Sequence, residues 1–521
     1  MRASGACFVL ALALLASPLA RAQDTPATGA PAAPPPESAS DSASASDSAS
    51  ASASDPASAS DSASASPLWT LDRISIRGND RTAAHVIQRA LPLAPGDTLA
   101  PDDERLEQAR WQLLGTGFFE SVELSIERGR ERGRIVLVVQ VRERNTVLLE
   151  EIGLGVSEGL NGERQFGGDV YVGATLSETN LFGTGTSLDG SFVLSLLQQG
   201  LRLRFREPRF LGSPLALTVS GFFLNAREVY GDEDVLVTPA PPVEPGGLFG
   251  PEAVHYALVR YHRGGGAIGT GLSLDPENHL SVTYQLEVVD VLSRPDGASE
   301  RHGTEIKPID FALHDGTSFV SSLTLALAHD ERDDPGLTRR GRLITLRGDL
   351  ASRLLGGDYD FFRAQALWRE WVPLPEWDHA LRFTLFLGAA LGDVPVFYRF
   401  YASDLSDLVP SRMLELNLDR RTAPNLLGTA IAEMRWGQLG ARADVEYSFL
   451  VARPGEGVRA LFGFVDAGVY LLADTEHFVR PIPGYAISVP IDLTFDVGIR
   501  LDTSVGVFQL AFSTLLGFVS L

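Results

Sequence analysis

The chain has 521 residues, a formal net charge of −22 and one cysteine, Cys7. That charge, with no block of Lys or Arg to offset it, argues against a nucleic-acid partner. A lone cysteine excludes a zinc–cysteine cluster, a haem-attachment motif and a disulfide within the chain.

Arg2, the apolar run from Phe8 to Ala16 and the small-x-small triplet Ala20-Arg21-Ala22 predict a secretory signal peptide over residues 1–22. The apolar run is too short to cross a bilayer as a helix. Residues 23–66 are a Pro/Ala segment followed by Ser-Ala-Ser-Asp repeats, with nothing aromatic to bury. They are expected to be a flexible acidic linker whose ends lie roughly 35–40 Å apart.

Residues 68–144 have the pattern of a small α/β domain. Leu71 to Gly78 alternates as a strand and ends in a Gly-Asn turn. Thr82 is a candidate cap for a helix with apolar positions Val86, Ile87, Ala90 and Leu91. Pro101-Asp-Asp-Glu104 opens a second helix, with Pro and acids where the helix dipole favours them. Gly117-Phe118-Phe119 then leads into the strand Val122–Ile126, and Ile135–Val141 is the most apolar strand.

From Val147 to Leu521 apolar and polar residues alternate at period two. Leu201, Leu203 and Phe205 alternate with arginines, and Val282, Tyr284, Leu286 and Val288 with Thr, Gln and Glu. Charged residues in mid-strand suit a water-filled interior, so an antiparallel membrane barrel is expected. Its strands escape the hydropathy test for helices because only alternate residues face lipid. About fifteen strands can be counted, with a miscount expected near Asn425–Trp436. Long connections at 230–253, 290–317, 392–425 and 472–489 are expected on the outer side, with short turns on the other.

The turn Asn180-Leu-Phe-Gly183-Thr-Gly185 resembles the second hairpin of the outer-membrane assembly and secretion barrels, the superfamily that includes BamA and TamA. Other segments resemble that family's motifs in the same order. They are Phe205-Arg-Glu-Pro208, Asp330-Glu-Arg332-Asp333, Ala443-Asp-Val-Glu446, Phe464-Val-Asp466 and the final hairpin Gly498–Gly506. Residues 68–144, with Gly78, Gly117, Phe118 and Phe119, resemble a POTRA domain, the family's periplasmic module. The resemblance implies a mainly β protein: one POTRA domain, then a transmembrane barrel of about sixteen strands over residues 147–521. It implies an outer-membrane lipid setting with the POTRA domain in the periplasm, and no cofactor, metal or enzymatic activity.

The family's sixth loop folds into the barrel and pairs an arginine with acids on the wall. Here the usual Arg-Gly-aromatic tip is replaced by Val409-Pro-Ser-Arg412. Arg412 is therefore expected to pair with Glu446 and Asp466, with Arg420 or Arg421 as substitutes. Phe508, Phe512 and Phe518 are expected to carry the C-terminal strand signal. The altered tip and single POTRA domain lean towards a paralogue of the main assembly factor.

Gly264–Gly269 matches G-x-G-x-x-G, but no helix pattern follows, so a nucleotide site is not expected. The implied function is insertion or translocation of client polypeptides, unfolded barrel or secreted proteins, with periplasmic chaperones or accessory lipoproteins as further partners. A transporter dedicated to one secreted partner and a passive pore are the alternatives.

Overall fold

The computed structural model describes residues 68–511 except 101–102, 162–163, 231–234, 238–256, 276, 296, 303–304, 334–336, 375–377, 409–411, 419–424, 456, 476–487 and 504–505. The expected signal peptide and linker lie outside the described residues, as do Phe512, Phe518, Arg420 and Arg421.

The N-terminal module runs β1 (Trp69–Arg77), α1 (Ala84–Ala90), β2 (Thr98–Leu99), α2 (Glu104–Gly115), β3 (Phe119–Arg128) and β4 (Arg134–Glu143). Its sheet has the order β2-β1-β4-β3, so β3 is an edge strand. Leu71, Ile87, Leu99, Leu113, Phe119, Val122, Leu137 and Val139 are buried between sheet and helices. Strict alternation places Leu71 and Ile74 on opposite faces, yet both pack on this core. A bulge between Leu71 and Arg73 skips Asp72 in the register and restores the face. Asp103 caps α2 by accepting from the Arg105 backbone N–H at 3.0 Å. The Arg105 side chain holds the Asp103 carboxyl down at about 2 against the upward push of desolvation. Thr82 is not the cap of α1. That position is Ala83, which offers no side-chain oxygen, and Thr82 is buried in another contact described below.

The second region is a meander. It comprises β5 (Val147–Asn161), β6 (Arg164–Leu181), β7 (Thr186–Leu194), β8 (Gln199–Glu207), β9 (Leu215–Tyr230), β10 (Val235–Val237), β11 (Ala257–Ser273), β12 (Asn278–Ser293), β13 (Ala298–His302) and β14 (Glu305–Pro308). It continues with β15 (Thr317–Asp330), β16 (Gly341–Ala351), β17 (Phe361–Leu374), β18 (His379–Gly392), β19 (Phe400–Tyr401), β20 (Trp436–Gly437), β21 (Leu439–Ala452), β22 (Val458–Ala473), β23 (Ile491–Thr503) and β24 (Gly506–Ala511).

Among the described residues one antiparallel sheet of fifteen strands runs from β5 to β24 in chain order, leaving aside the short strands β10, β13, β14, β19 and β20. Many of its strands are 14 to 17 residues long, more than the ~9–11 that a tilted strand needs to cross a bilayer. The two faces differ as a membrane barrel requires. Leu201, Leu203, Val282, Tyr284, Leu286 and Val288 are exposed on the outer face, whereas Glu287 between them is fully buried inside. The G-x-G-x-x-G segment lies in β11 and pairs with β9 and β12 along its whole length, with no helix after it.

The region 425–436 contributes no barrel strand. It holds a short 3-10 turn over Ala430–Glu433 and leads into β20, which pairs with β19. Both belong to the connection between β18 and β21, whose Phe397, Phe400, Tyr401, Leu405 and Leu416 are buried in the barrel's apolar interior cluster.

Candidate functional site

The Asn180–Gly185 turn joins the two regions. Asn180 Nδ2 donates to Thr82 Oγ1 at 2.9 Å, and its Oδ1 accepts from Gly185 N at 2.8 Å. Ala83 N donates to Gly183 O at 2.9 Å, and Arg89 donates to Thr184 O at 3.2 Å. Glu143 accepts from Arg81 N at 2.9 Å and Thr82 N at 2.6 Å, which fixes the segment that receives the turn. Gly183 and Gly185 have φ of +72° and +74°, and a Cβ on Gly183 would collide with the Arg81 carbonyl oxygen. Only glycine fits at that approach.

The other turn residues organise local loops. Pro208 follows β8, where its missing N–H ends the ladder. Arg332 donates to both Asp330 oxygens at 2.8 and 2.7 Å, and Asp333 accepts from Arg339 N at 3.0 Å. Gly78 has φ +82°, and a Cβ there would strike the Val141 carbonyl oxygen. Gly117 has φ +75° in open space, followed by buried Phe118 and Phe119. Phe508 lies in β24 opposite Leu501.

Inside the barrel a charged row crosses four neighbouring strands: Arg382 on β18 faces Glu446 on β21, which faces Asp466 on β22, which faces Asp496 on β23. Arg382 reaches Glu446 at 2.9 Å and Asp466 at 2.7 Å. Arg500 on β23 makes a two-pronged contact with Glu446, both distances 2.5 Å, and its guanidinium sits 4.2 Å from the Phe464 ring. Arg442 pairs with Asp444 at 2.7 Å and Asp407 at 2.5 Å. Three acids in a row repel one another, and the wall's own arginines offset that charge away from bulk water.

Arg412 therefore takes neither Glu446 nor Asp466, contrary to the sequence expectation. It pairs with Asp404 in its own loop, Nε to Oδ1 at 2.9 Å, and lies over Tyr401 and Trp436. The physical reason is occupancy: Arg382 and Arg500 already pair with Glu446, Arg382 with Asp466, and Arg442 with Asp444, although Asp466 Oδ1 and Asp496 Oδ1 keep no hydrogen-bond partner among the described residues.

The loop acts on the opposite wall through Glu415, between Arg202 at 2.8 Å and Arg263 at 3.1 Å. Arg263 is 1% exposed, pairs with Glu287 at 2.9 Å and has its guanidinium 4.3 Å from the Phe397 ring. Desolvation raises the Glu415 carboxyl, but Arg263, Arg202 and Arg412 outweigh it and hold the group at about 2. Sequence reasoning singled out neither Arg263 nor Glu415. The available signal was an arginine in mid-strand on the polar face of β11, which an apolar interior tolerates only when paired.

Comparison with known proteins agrees with this architecture. The family described as "Omp85 superfamily domain" matches residues 180–407, and the POTRA family, described as "Surface antigen variable number repeat", matches residues 70–144. The chain is 23% identical over 403 residues to outer membrane protein assembly factor BamA of Nitratidesulfovibrio vulgaris, covering 77% of this chain and 44% of that protein. It is 23% identical over 297 residues to BamA of Neorickettsia risticii, covering 57% and 34%. The chain thus spans less than half the length of these curated relatives. Its fold is similar to the crystal structure of BamA from Haemophilus ducreyi lacking POTRA domains 1–3, with TM-score 0.51 and 15% identity, covering 85% of this chain and 80% of that one. CdiB from Escherichia coli shares the fold at TM-score 0.51 and 11% identity, covering 84% and 70%. The chain carries an Omp85 superfamily domain and a POTRA domain, with its barrel in the outer membrane and its POTRA domain in the periplasm.

Proposed function

We propose that the protein assists insertion or translocation of client polypeptides at the outer membrane, using an open POTRA edge and the seam of the barrel. The observation that carries this reading is the seam. β5 and β24 stand at the two ends of the fifteen-strand order and approach within 8 Å between Cα atoms, yet no backbone ladder joins them among the described residues. Unpaired backbone groups at bilayer depth are costly, so such an edge favours pairing with an incoming strand. The free edge of β3 offers the same chemistry on the periplasmic side, where an extended client can add as a further strand.

Clients of this kind are unfolded barrel or secreted proteins, delivered by periplasmic chaperones or accessory lipoproteins. Burial of the client's lipid-facing side chains drives the step, so the reading calls for no nucleotide, metal or catalytic residue. A constantly open passive pore fits less well, because the loop from Gly392 to Leu439 packs Phe397, Phe400, Tyr401 and Leu405 into the interior. A transporter dedicated to one secreted partner would use the same edges and differs in the breadth of its clients.

The test is a set of cysteine pairs placed along β5 (residues 147–155) and β24 (residues 507–511). Oxidation of a pair that bridges the seam should abolish client insertion and reduction should restore it. Full activity in the oxidised state would refute the seam as the working edge.

A further inference from the structure

We infer that the inward loop is a strap which holds the two sides of the seam together from inside, with Met413 as its catch. The catch sits on the first two barrel strands. Gly153 on β5 and Gly173 on β6 are register partners. A Cβ on either glycine would come within 2.5 Å of the Met413 thioether end. The paired glycines therefore form a socket without side chains, and the flexible, polarizable Met413 fills it. Neighbouring contacts continue onto β8, where a Cβ on Gly200 would meet Leu416 at 3.2 Å and Leu414 at 3.4 Å. Gln198 Nε2 also donates to Asn417 O at 2.5 Å.

The turn that presents the catch is strained. Leu414 and Glu415 are consecutive non-glycine residues with φ of +48° and +68°. Met413 and Leu416 close the turn through N–H to carbonyl bonds of 3.2 and 2.8 Å. Such a backbone persists where its surroundings over-determine it. Here the surroundings are the two arginines on Glu415 and the fully buried Leu416.

The other end of the strap is fixed to β23, across the seam. Asp407 N donates to Thr494 Oγ1 at 2.8 Å, and Thr494 Oγ1 donates back to Asp407 Oδ2 at 3.2 Å. Leu426 N and Leu427 N both donate to Asp492 at 3.1 Å, and Thr429 Oγ1 donates to Ile491 O at 2.5 Å. In the sheet order β24 is the last strand beyond β23, and β5 is the first strand at the opposite end. Moving β5 away from β24 therefore carries the Gly153–Gly173 socket away from Thr494. The seam opens only when Met413 leaves its socket or the β23 anchors break.

The inference rests on the seam described above for its location, while its test reads geometry and not client insertion. A seam without a strap would leave the insertion reading standing. Spin labels at Ile152 on β5 and Leu510 on β24, both exposed on the lipid side, report the seam distance in the full chain in nanodiscs with Cys7→Ser. Met413→Ala should raise the open fraction at least tenfold, the open distance being longer by about one interstrand spacing, ~5 Å. Gly153→Val, which fills the socket from the strand side and leaves the loop sequence intact, should do the same. A folded barrel of either variant with the distance distribution of the parent would overturn the strap.

Discussion

Asn180 and Thr82, 98 residues apart in sequence, share a buried hydrogen bond of 2.9 Å that ties the first short turn of the barrel to the POTRA domain. The same Asn180 holds Gly185 N through its other atom, so one side chain shapes the turn and docks it.

Asn180→Ala should leave the Thr82 hydroxyl and the Gly185 N–H without their described partner, at a cost of about 1–3 kcal/mol. Gly183→Val adds a strained φ and a collision with Arg81, costing roughly 1–3 kcal/mol more. Protease cleavage between residues 143 and 147 should accelerate in both variants while the folded barrel keeps its heat-dependent gel migration. Unchanged cleavage would show that the joint does not depend on this turn.

The acid row gives a second prediction. Arg382→Ala leaves Glu446, Asp466 and Asp444 short of a shared cation and should destabilise the barrel by about 3–5 kcal/mol. In double-mutant cycles Arg382 and Asp466 should couple by roughly 0.5–3 kcal/mol, whereas Arg412 and Asp466 should be additive within about 0.5 kcal/mol. Strong coupling of Arg412 to Asp466 would restore the pairing that the sequence suggested.

That difference marks where sequence reasoning works and where it stops. The barrel was legible because a membrane wall forces period-two alternation on each strand, as in Leu201–Arg206. The POTRA helices were legible from Val86–Ile87 and the acidic start at Asp103. The role of Thr82 was misread because a cap and an inter-domain partner look alike locally. Which arginine meets Asp466 depends on the register between β18, β21 and β22, which no local pattern encodes. The stretch 425–436 was ambiguous for a related reason: apolar loop residues buried inside a barrel carry the same composition as a wall strand.

Acid should loosen the loop. The Glu415 carboxyl is held at about 2, below its ordinary value of 4.5, so its contribution is present above pH 4.5 and is lost as pH falls towards 2. Glu415 lies at the exposed lumen side of the turn, where water screens part of the effect. Glu415→Gln should weaken loop docking at neutral pH and flatten its acid dependence, read by single-channel noise between pH 6 and pH 3. An identical pH profile in parent and variant would remove Glu415 as the titrating latch.

The measurement that bears most directly on the proposed role is depletion of the protein followed by quantitative proteomics of the outer membrane. Assistance in assembly predicts falling levels of many barrel proteins, with their unfolded precursors accumulating in the periplasm. Loss of one secreted or surface protein alone would point to a dedicated transporter. An unaltered outer-membrane proteome after complete depletion would contradict the account.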